Sequence, residues 1–175
     1  MYNIVAKENL TPVTKLFEVQ APAVARKARP GQFVIIRTHE TGERLPLTLA
    51  DCDRDAGTIT LVFLQRGKST DALAELEQGD SVLDVIGPLG VPYAVERFGA
   101  VVCVGGGIGI PAIYPVAHAL AEAGNRVIVI LAARSAGLLM LEDESAAVAD
   151  EVVWGVLETG LPKARAEVDA LLDKA

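Results

Sequence analysis

The run Val101-Val102-Cys103-Val104-Gly105-Gly106-Gly107-Ile108-Gly109-Ile110-Pro111 narrows the possible folds more than any other stretch of the chain. Apolar, mostly β-branched residues read straight into four glycines within five positions, and a proline follows. An unalternating run of this kind predicts a parallel strand, Ala100–Val104, buried on both faces. Glycines let a backbone approach a ligand and adopt positive φ, and a helix start offers unpaired N–H groups and a positive dipole end. Against the dinucleotide fingerprint G-x-G-x-x-G, the string that starts at Gly105 has Ile110 where the third glycine belongs. The string that starts at Gly107 reads G-x-G-x-x-A and ends at Ala112, which the looser form admits. On this stretch alone, a phosphate loop and a tight strand–helix turn without a ligand both stand.

The two sides of the loop differ in texture. From Gly99 the pattern is β–α–β. A helix is predicted over Pro111–Ala123, with Ile113, Val116, Ala117 and Leu120 on one face and His118 and Glu122 on the wetter side. Pro111 fits a first helical turn, and Gly124-Asn125 stops the helix. Val127–Ala132 and Glu151–Val156 read as further strands, Leu138–Val148 as a helix, and Pro162–Leu172 as a last helix. Arg134-Ser135 follow the second strand, where an adenosine ribose binds in such folds. Arg134 is either a cation for a 2′-phosphate or a solvated loop residue.

The preceding part holds short runs of β-branched or alternating character: Tyr2–Ala6, Val13–Val19, Gln32–Thr38, Leu45–Ala50, Thr58–Leu64 and Ser81–Ile86. Turn residues at 28–31, 41–42, 55–57 and 78–80 separate them, which predicts a small antiparallel barrel. One helix, Ser69–Leu76, interrupts the strands, with Ser69 or Thr70 as its cap and free N–H groups for a second phosphate. The expected fold is therefore a β-barrel plus α/β: an antiparallel, Greek-key-like barrel over 1–97 and a shortened Rossmann-like parallel-sheet domain over 98–175, with the boundary near Ala94–Gly99.

Composition removes several classes of function. The net charge of -7 argues against a general nucleic-acid surface, and no apolar stretch is long enough for a membrane span. The start carries charges where a signal peptide is apolar, and Cys52 and Cys103 sit apart in apolar runs. Both features predict reduced thiols in the cytoplasm. Two cysteines cannot supply a four-thiolate iron–sulfur site. His39 and His118 lie in different segments, so neither a metal site nor a nucleophile–base pair is expected. Asp51, Asp53 and Asp55 lack the glycine and distal glutamate of a calcium loop.

Three further strings complete the pattern: Arg44-Leu45-Pro46-Leu47-Thr48, Gly67-Lys68-Ser69-Thr70 and Gly87-Pro88-Leu89-Gly90. A Pro30–Phe33 turn, these three strings and the glycine loop follow one another in that order. The succession resembles the ferredoxin-reductase-like flavoproteins. More narrowly, it resembles the electron-transfer subunits of dihydroorotate dehydrogenase and the related sulfide dehydrogenase and ferredoxin–NAD(P) oxidoreductase small subunits. The resemblance covers about residues 1–150. It implies an FAD-binding barrel and a domain for NAD or NADP. By position, Arg44, Pro46, Leu47 and Thr48 would line the flavin and its phosphates. Leu47 stands where the plainer family motif has an aromatic. Gly67, Lys68, Ser69 and Thr70 would hold the FAD pyrophosphate, and Val62 and Gln65 would pass near the adenine side. Gly105, Gly106, Gly107 and Gly109 would hold the nicotinamide-nucleotide pyrophosphate.

The family continues through further strands and a cysteine-rich segment for a two-iron, two-sulfur cluster, and by that comparison this chain is shortened. The function implied is an NAD(P)H-dependent flavin oxidoreductase subunit, passing electrons between NAD(P)H and a partner oxidoreductase subunit through FAD. The alternative is a truncated FAD-binding module or gene fragment without independent nicotinamide chemistry.

Overall fold

The computed structural model describes residues 1–156. The expected helix Pro162–Leu172 lies outside them. The chain divides into two compact units, Met1–Tyr93 and a second that begins at Ala94.

The first unit contains β1 (Tyr2–Thr11), β2 (Thr14–Gln20), a four-residue helix α1 (Pro22–Ala25), β3 (Phe33–Arg37), β4 (Leu45–Asp53), β5 (Thr58–Leu64), α2 (Lys68–Ala74), β6 (Ser81–Val82) and β7 (Asp84–Leu89). The sheet order is β6-β1-β2-β5-β4-β3-β7, antiparallel throughout. β2 lies beside β5 while β3 and β4 fold out past it, which is the Greek-key return. β6 and β7 stand at opposite ends of that order, yet only Leu83 separates them in the chain. Its N–H donates to the Arg37 carbonyl of β3 at 2.8 Å. One passage of chain thus joins both edges of the sheet and nearly closes the barrel.

Alternation along each strand fills the interior. Ile4, Phe17, Val19, Val34, Ile36, Ile59, Leu61, Phe63, Leu73 and Val82 are buried in one cluster. The Phe17 and Phe63 rings meet edge to face at 5.1 Å, a favoured aromatic geometry. Gly57 (φ +71) closes the tight turn between β4 and β5, where a Cβ would lie 2.9 Å from Pro22 Cβ.

The second unit contains β8 (Ala100–Gly106), a 3-10 turn (Gly107–Gly109), α3 (Ile110–Glu122), β9 (Arg126–Ala133), a second 3-10 turn (Ala136–Leu138), α4 (Glu142–Val148) and β10 (Glu151–Val156). The strands are parallel, in the order β10-β9-β8. Numbered within the unit this is 3-2-1, the first half of a doubly wound sheet. The helix expected over Leu138–Val148 is shorter. Leu138 ends the 3-10 turn, Leu139 is extended, and Leu141 takes φ +54 immediately before α4. Pro115 lies inside α3, as the expected span Pro111–Ala123 implies.

β8 departs from the expectation of two buried faces. Cys103 and Gly105 are buried on the α3 side, while Val102 is 40% and Val104 is 61% exposed. Composition without alternation indicates that both faces tolerate apolar residues; it does not supply a cover for each.

Candidate functional site

In the barrel, the site is built from strand register. Val34 and Ile36 point inward, opposite Leu47 and Leu45 of β4, and both leucines pack against the core. Phe33 and Ile35 therefore point outward, paired with Thr48 and Pro46 across β4 and with Leu89 and Ile86 across β7. Phe33, Ile35, Pro46, Ile86 and Leu89 form an apolar exterior face, with Ile86 47% exposed. Thr48 lies on this outward side, whereas Leu47 lies inward; Arg44, immediately before β4, is exposed. Val62 belongs to the face of β5 opposite the core residues Leu61 and Phe63, yet it is buried. The Gln65 N–H donates to the Val13 carbonyl at 2.7 Å.

The Pro30–Phe33 turn fixes the Gly87–Gly90 segment beside this face. Gln32, itself buried, accepts a hydrogen bond from the Arg29 N–H at 3.0 Å and donates to the Gly90 carbonyl at 2.9 Å. The Tyr93 N–H donates to the Pro30 carbonyl at 2.9 Å. Gly87 packs against Val34, where a Cβ would stand 2.7 Å from Val34 Cγ1.

Next to α2 a cleft of about 260 Å³ opens. Thr38, His39, Thr41, Gly42 and Glu43, from the turn between β3 and β4, form one wall, and Lys68, Ser69 and Ala72 form the other. Lys68 makes no ion pair among the described residues. The Ser69 hydroxyl donates to the Glu43 carboxylate. The expected Ser69 or Thr70 cap does not form: Gly67 (φ +115) is the N-cap, and no side chain caps the helix. Thr70 turns back instead, accepting from the Arg66 N–H at 2.9 Å and donating to the Gly67 carbonyl at 3.0 Å. This leaves the Lys68–Ser69 side facing the cleft. The wall from Thr38 to Glu43 was missed in the sequence, where only the Thr41-Gly42 turn marked its place.

In the second unit the four loop glycines separate into two kinds. Gly105 is required by packing, because a Cβ there would meet Ile113 Cγ1 at 2.8 Å and Ile110 Cα at 2.9 Å. Gly107 is required by its φ of +51. Gly106 and Gly109 have ordinary backbone angles and open space, the only atom near either being the Ala132 carbonyl oxygen at 3.8 Å from Gly106. Nothing in the fold asks for glycine there, whereas close approach of a ligand to the backbone does. Gly106 pairs with Ala132, so the loop and exposed Arg134 share the carboxyl edge of the sheet, where ligands of such sheets bind. The residues fit both cofactor classes: an apolar face with Thr48 and a cleft with Lys68 and Ser69 suit a flavin and its phosphates, and an open glycine loop at the carboxyl edge of the parallel sheet suits a nicotinamide dinucleotide.

Among the described residues no metal-binding group of His, Cys, Asp and Glu occurs, and no helix is long and apolar enough to cross a membrane. Both cysteines are free thiols. Burial pushes Cys103 above the ordinary thiol range; burial, then the Asp51 carboxylate, pushes Cys52 up as well.

No family model matches the chain. Curated proteins do. A dihydroorotate dehydrogenase B (NAD(+)) electron transfer subunit homolog of Thermotoga maritima is 43% identical over 158 residues, 90% of this chain and 55% of the relative. The electron transfer subunit of Bacillus caldolyticus is 36% identical over 130 residues, 71% of this chain and 50% of the relative. Among solved structures, a chain of NADH-dependent reduced ferredoxin-NADP oxidoreductase, described in connection with flavin-based electron bifurcation, superposes with a TM-score of 0.84 at 43% identity. That match covers 88% of this chain and 56% of the other. The ferredoxin reductase of carbazole 1,9a-dioxygenase, at 21% identity and a TM-score of 0.76, covers 89% of this chain and 49% of its own, and shares the fold. The chain spans about half the length of the curated relatives it matches. It is a homologue of the dihydroorotate dehydrogenase electron-transfer subunits, built on the ferredoxin-reductase-like fold.

Proposed function

We propose that this chain is the cofactor-binding part of a flavoprotein electron-transfer subunit that passes electrons between NAD(P)H and a partner oxidoreductase subunit through FAD. The observation that carries the reading is the outward face of Phe33, Ile35, Pro46, Ile86 and Leu89, with Thr48 paired to Phe33 on it and exposed Arg44 just ahead of β4 in the chain. In this reading the apolar face receives the flavin ring, Thr48 offers a hydroxyl to its polar edge, and Arg44 and Lys68 balance the phosphates. Leu47 supports β4 from within. Gly67, Ser69 and Thr70 shape the pyrophosphate segment, and Val62 and Gln65 border the adenine side. Gly105, Gly106, Gly107 and Gly109 form the nicotinamide-nucleotide loop, with Arg134 beside the ribose. Bound FAD would take a hydride from NAD(P)H and release electrons singly to the partner. The protein itself needs no acid or base for that transfer; its residues align the reactants and exclude water. Free thiols support a reducing compartment, the cytoplasm.

The first experiment is reconstitution with FAD, followed by gel filtration and a visible spectrum. A flavin band that travels with the protein supports the barrel assignment. A folded protein that carries no flavin refutes it.

A further inference from the structure

We propose that Gln32 is a positioning residue for the flavin: its side-chain amide fixes Gly90 against the Phe33 ring, and so sets the surface that the ring of the cofactor meets. The inference rests on the reading of the outward barrel face as the flavin's seat. Gln32 is buried, and it stands immediately before Phe33, the first residue of β3. Its amide ties two segments together. Oε1 accepts from the Arg29 N–H at 3.0 Å, and Nε2 donates to the Gly90 carbonyl at 2.9 Å. An N–H can bond only the amide oxygen and a carbonyl only the amide nitrogen, so the two partners set the amide's orientation. The Gln32 backbone is anchored as well, its carbonyl accepting from the Leu49 N–H of β4 at 3.1 Å.

The strand ladder does not hold Gly90. β3 and β7 pair at Ile35–Ile86 and again at Phe33–Leu89, so β7 advances one residue more than β3 between the two pairs, across Gly87 and Pro88. β7 then ends at Leu89, and the Gly90 carbonyl takes its hydrogen bond from a side chain instead. Gly90 has φ +82, and a Cβ on it would stand 3.0 Å from Phe33 Cε1 and 3.1 Å from Phe33 Cδ1. The ring therefore lies directly against the Gly90 backbone. Phe33 is the aromatic among the five residues of the outward face. Without the amide, the Gly90 carbonyl loses its partner and the segment shifts beneath the ring. Gln32, itself buried, thus acts on the flavin through Gly90 and Phe33.

The test uses the full chain freed of flavin and titrated with riboflavin, FAD and ADP, with folding checked by far-ultraviolet circular dichroism. Gln32→Met keeps the length of the side chain and removes both hydrogen bonds. Gln32→Glu keeps the acceptor for the Arg29 N–H and, at about pH 8 where a carboxyl is ionised, lacks the donor to Gly90. Both folded variants are expected to bind riboflavin and FAD about tenfold more weakly than the parent, with ADP within about twofold of it. The visible circular dichroism of the bound flavin is expected to change with them. Phe33→Leu supplies the background that separates positioning from bulk stability. With the ring already gone, adding Gln32→Met is expected to cost less than about a further twofold in riboflavin affinity, because residues that act through one another are not additive. A purely structural Gln32 would lower the unfolding midpoint and leave these ratios unchanged. The proposal is overturned if the folded variants bind riboflavin as the parent does, if ADP weakens by the same factor, or if the losses of Gln32→Met and Phe33→Leu multiply. Failure of both Gln32 variants to fold assigns the residue to the fold alone and overturns it too. If the folded parent binds neither riboflavin nor FAD, the flavin reading falls and the proposal falls with it.

Discussion

Gly105 packs so closely beneath Ile113 that a Cβ on the glycine would stand 2.8 Å from the isoleucine Cγ1, and it would stand 2.9 Å from Ile110 Cα. An isoleucine tip can move; the backbone at the start of α3 cannot move without shifting the loop. Gly105→Ala is expected to destabilise the second unit by about 1–3 kcal/mol, the usual cost of overpacking. Gly106→Ala meets nothing closer than 3.8 Å and has extended angles, so its stability is expected to stay within about 0.5 kcal/mol of the parent. Under the proposed function its affinity for NAD(P)H is expected to fall about tenfold or more, because the added methyl group would stand where the proposed pyrophosphate site lies. Urea unfolding and nucleotide binding, measured on both variants, separate the structural glycine from the ligand glycine.

Asn125 is more than the helix stop that Gly124-Asn125 suggests. It is buried, and its amide donates to the Glu96 and Leu120 carbonyls, both at 2.8 Å. Its oxygen accepts from the Phe98 N–H at 2.6 Å and the Gly99 N–H at 3.0 Å. Asn125→Ala leaves several of these groups without partners, at an expected cost of about 3 kcal/mol. The loss is expected in the unfolding transition of the second unit, with FAD binding by the barrel retained.

β4 and the residue just before it make a paired prediction. Arg44→Ala and Thr48→Ala are each expected to weaken FAD binding by about tenfold with little change in stability. Leu47→Ala removes a side chain packed against the core and is expected to cost about 2 kcal/mol instead. Flavin titration and thermal unfolding, run on all three, distinguish a ligand face from a core face.

Cys103 gives a pH dependence whose sign is fixed. Burial raises its folded value above the unfolded one, so the folded state holds the proton more tightly. The associated stability is present below the unfolded thiol value, roughly pH 8.5, and is lost as pH rises through the folded value. Cys103→Val is expected to flatten that alkaline decline in urea unfolding. Alkylation of the parent at pH 8 is expected to be slow at Cys103 until the protein unfolds.

Some of this was legible in the sequence. Thr58–Leu64 appears as a strand with the expected ends, and β10 begins at the expected Glu151, because β-branched runs are bounded there by turn residues and by a helix end. β1 extends to Thr11 through Lys7, Glu8 and Asn9, polar residues that pairing with β2 holds in the sheet although they break the apolar run. α1 is four residues long and offers too few positions for any helical period. The run Ser81–Ile86 reads as one strand, and only the closed barrel shows that it serves both edges of the sheet through Leu83. Within the candidate site, sequence motifs locate Lys68, Ser69 and the glycines. The register of β3 against β4 and β7 assembles the apolar face.

The most direct measurement is anaerobic titration of the FAD-reconstituted chain with NADH and, separately, NADPH, followed by the visible flavin spectrum. The account predicts that the flavin band bleaches with one of the two nucleotides, and that Gly106→Ala slows or weakens the bleaching while FAD stays bound. A flavin that remains bound and oxidised at saturating NADH and NADPH would contradict it and leave the chain a flavin-binding module alone.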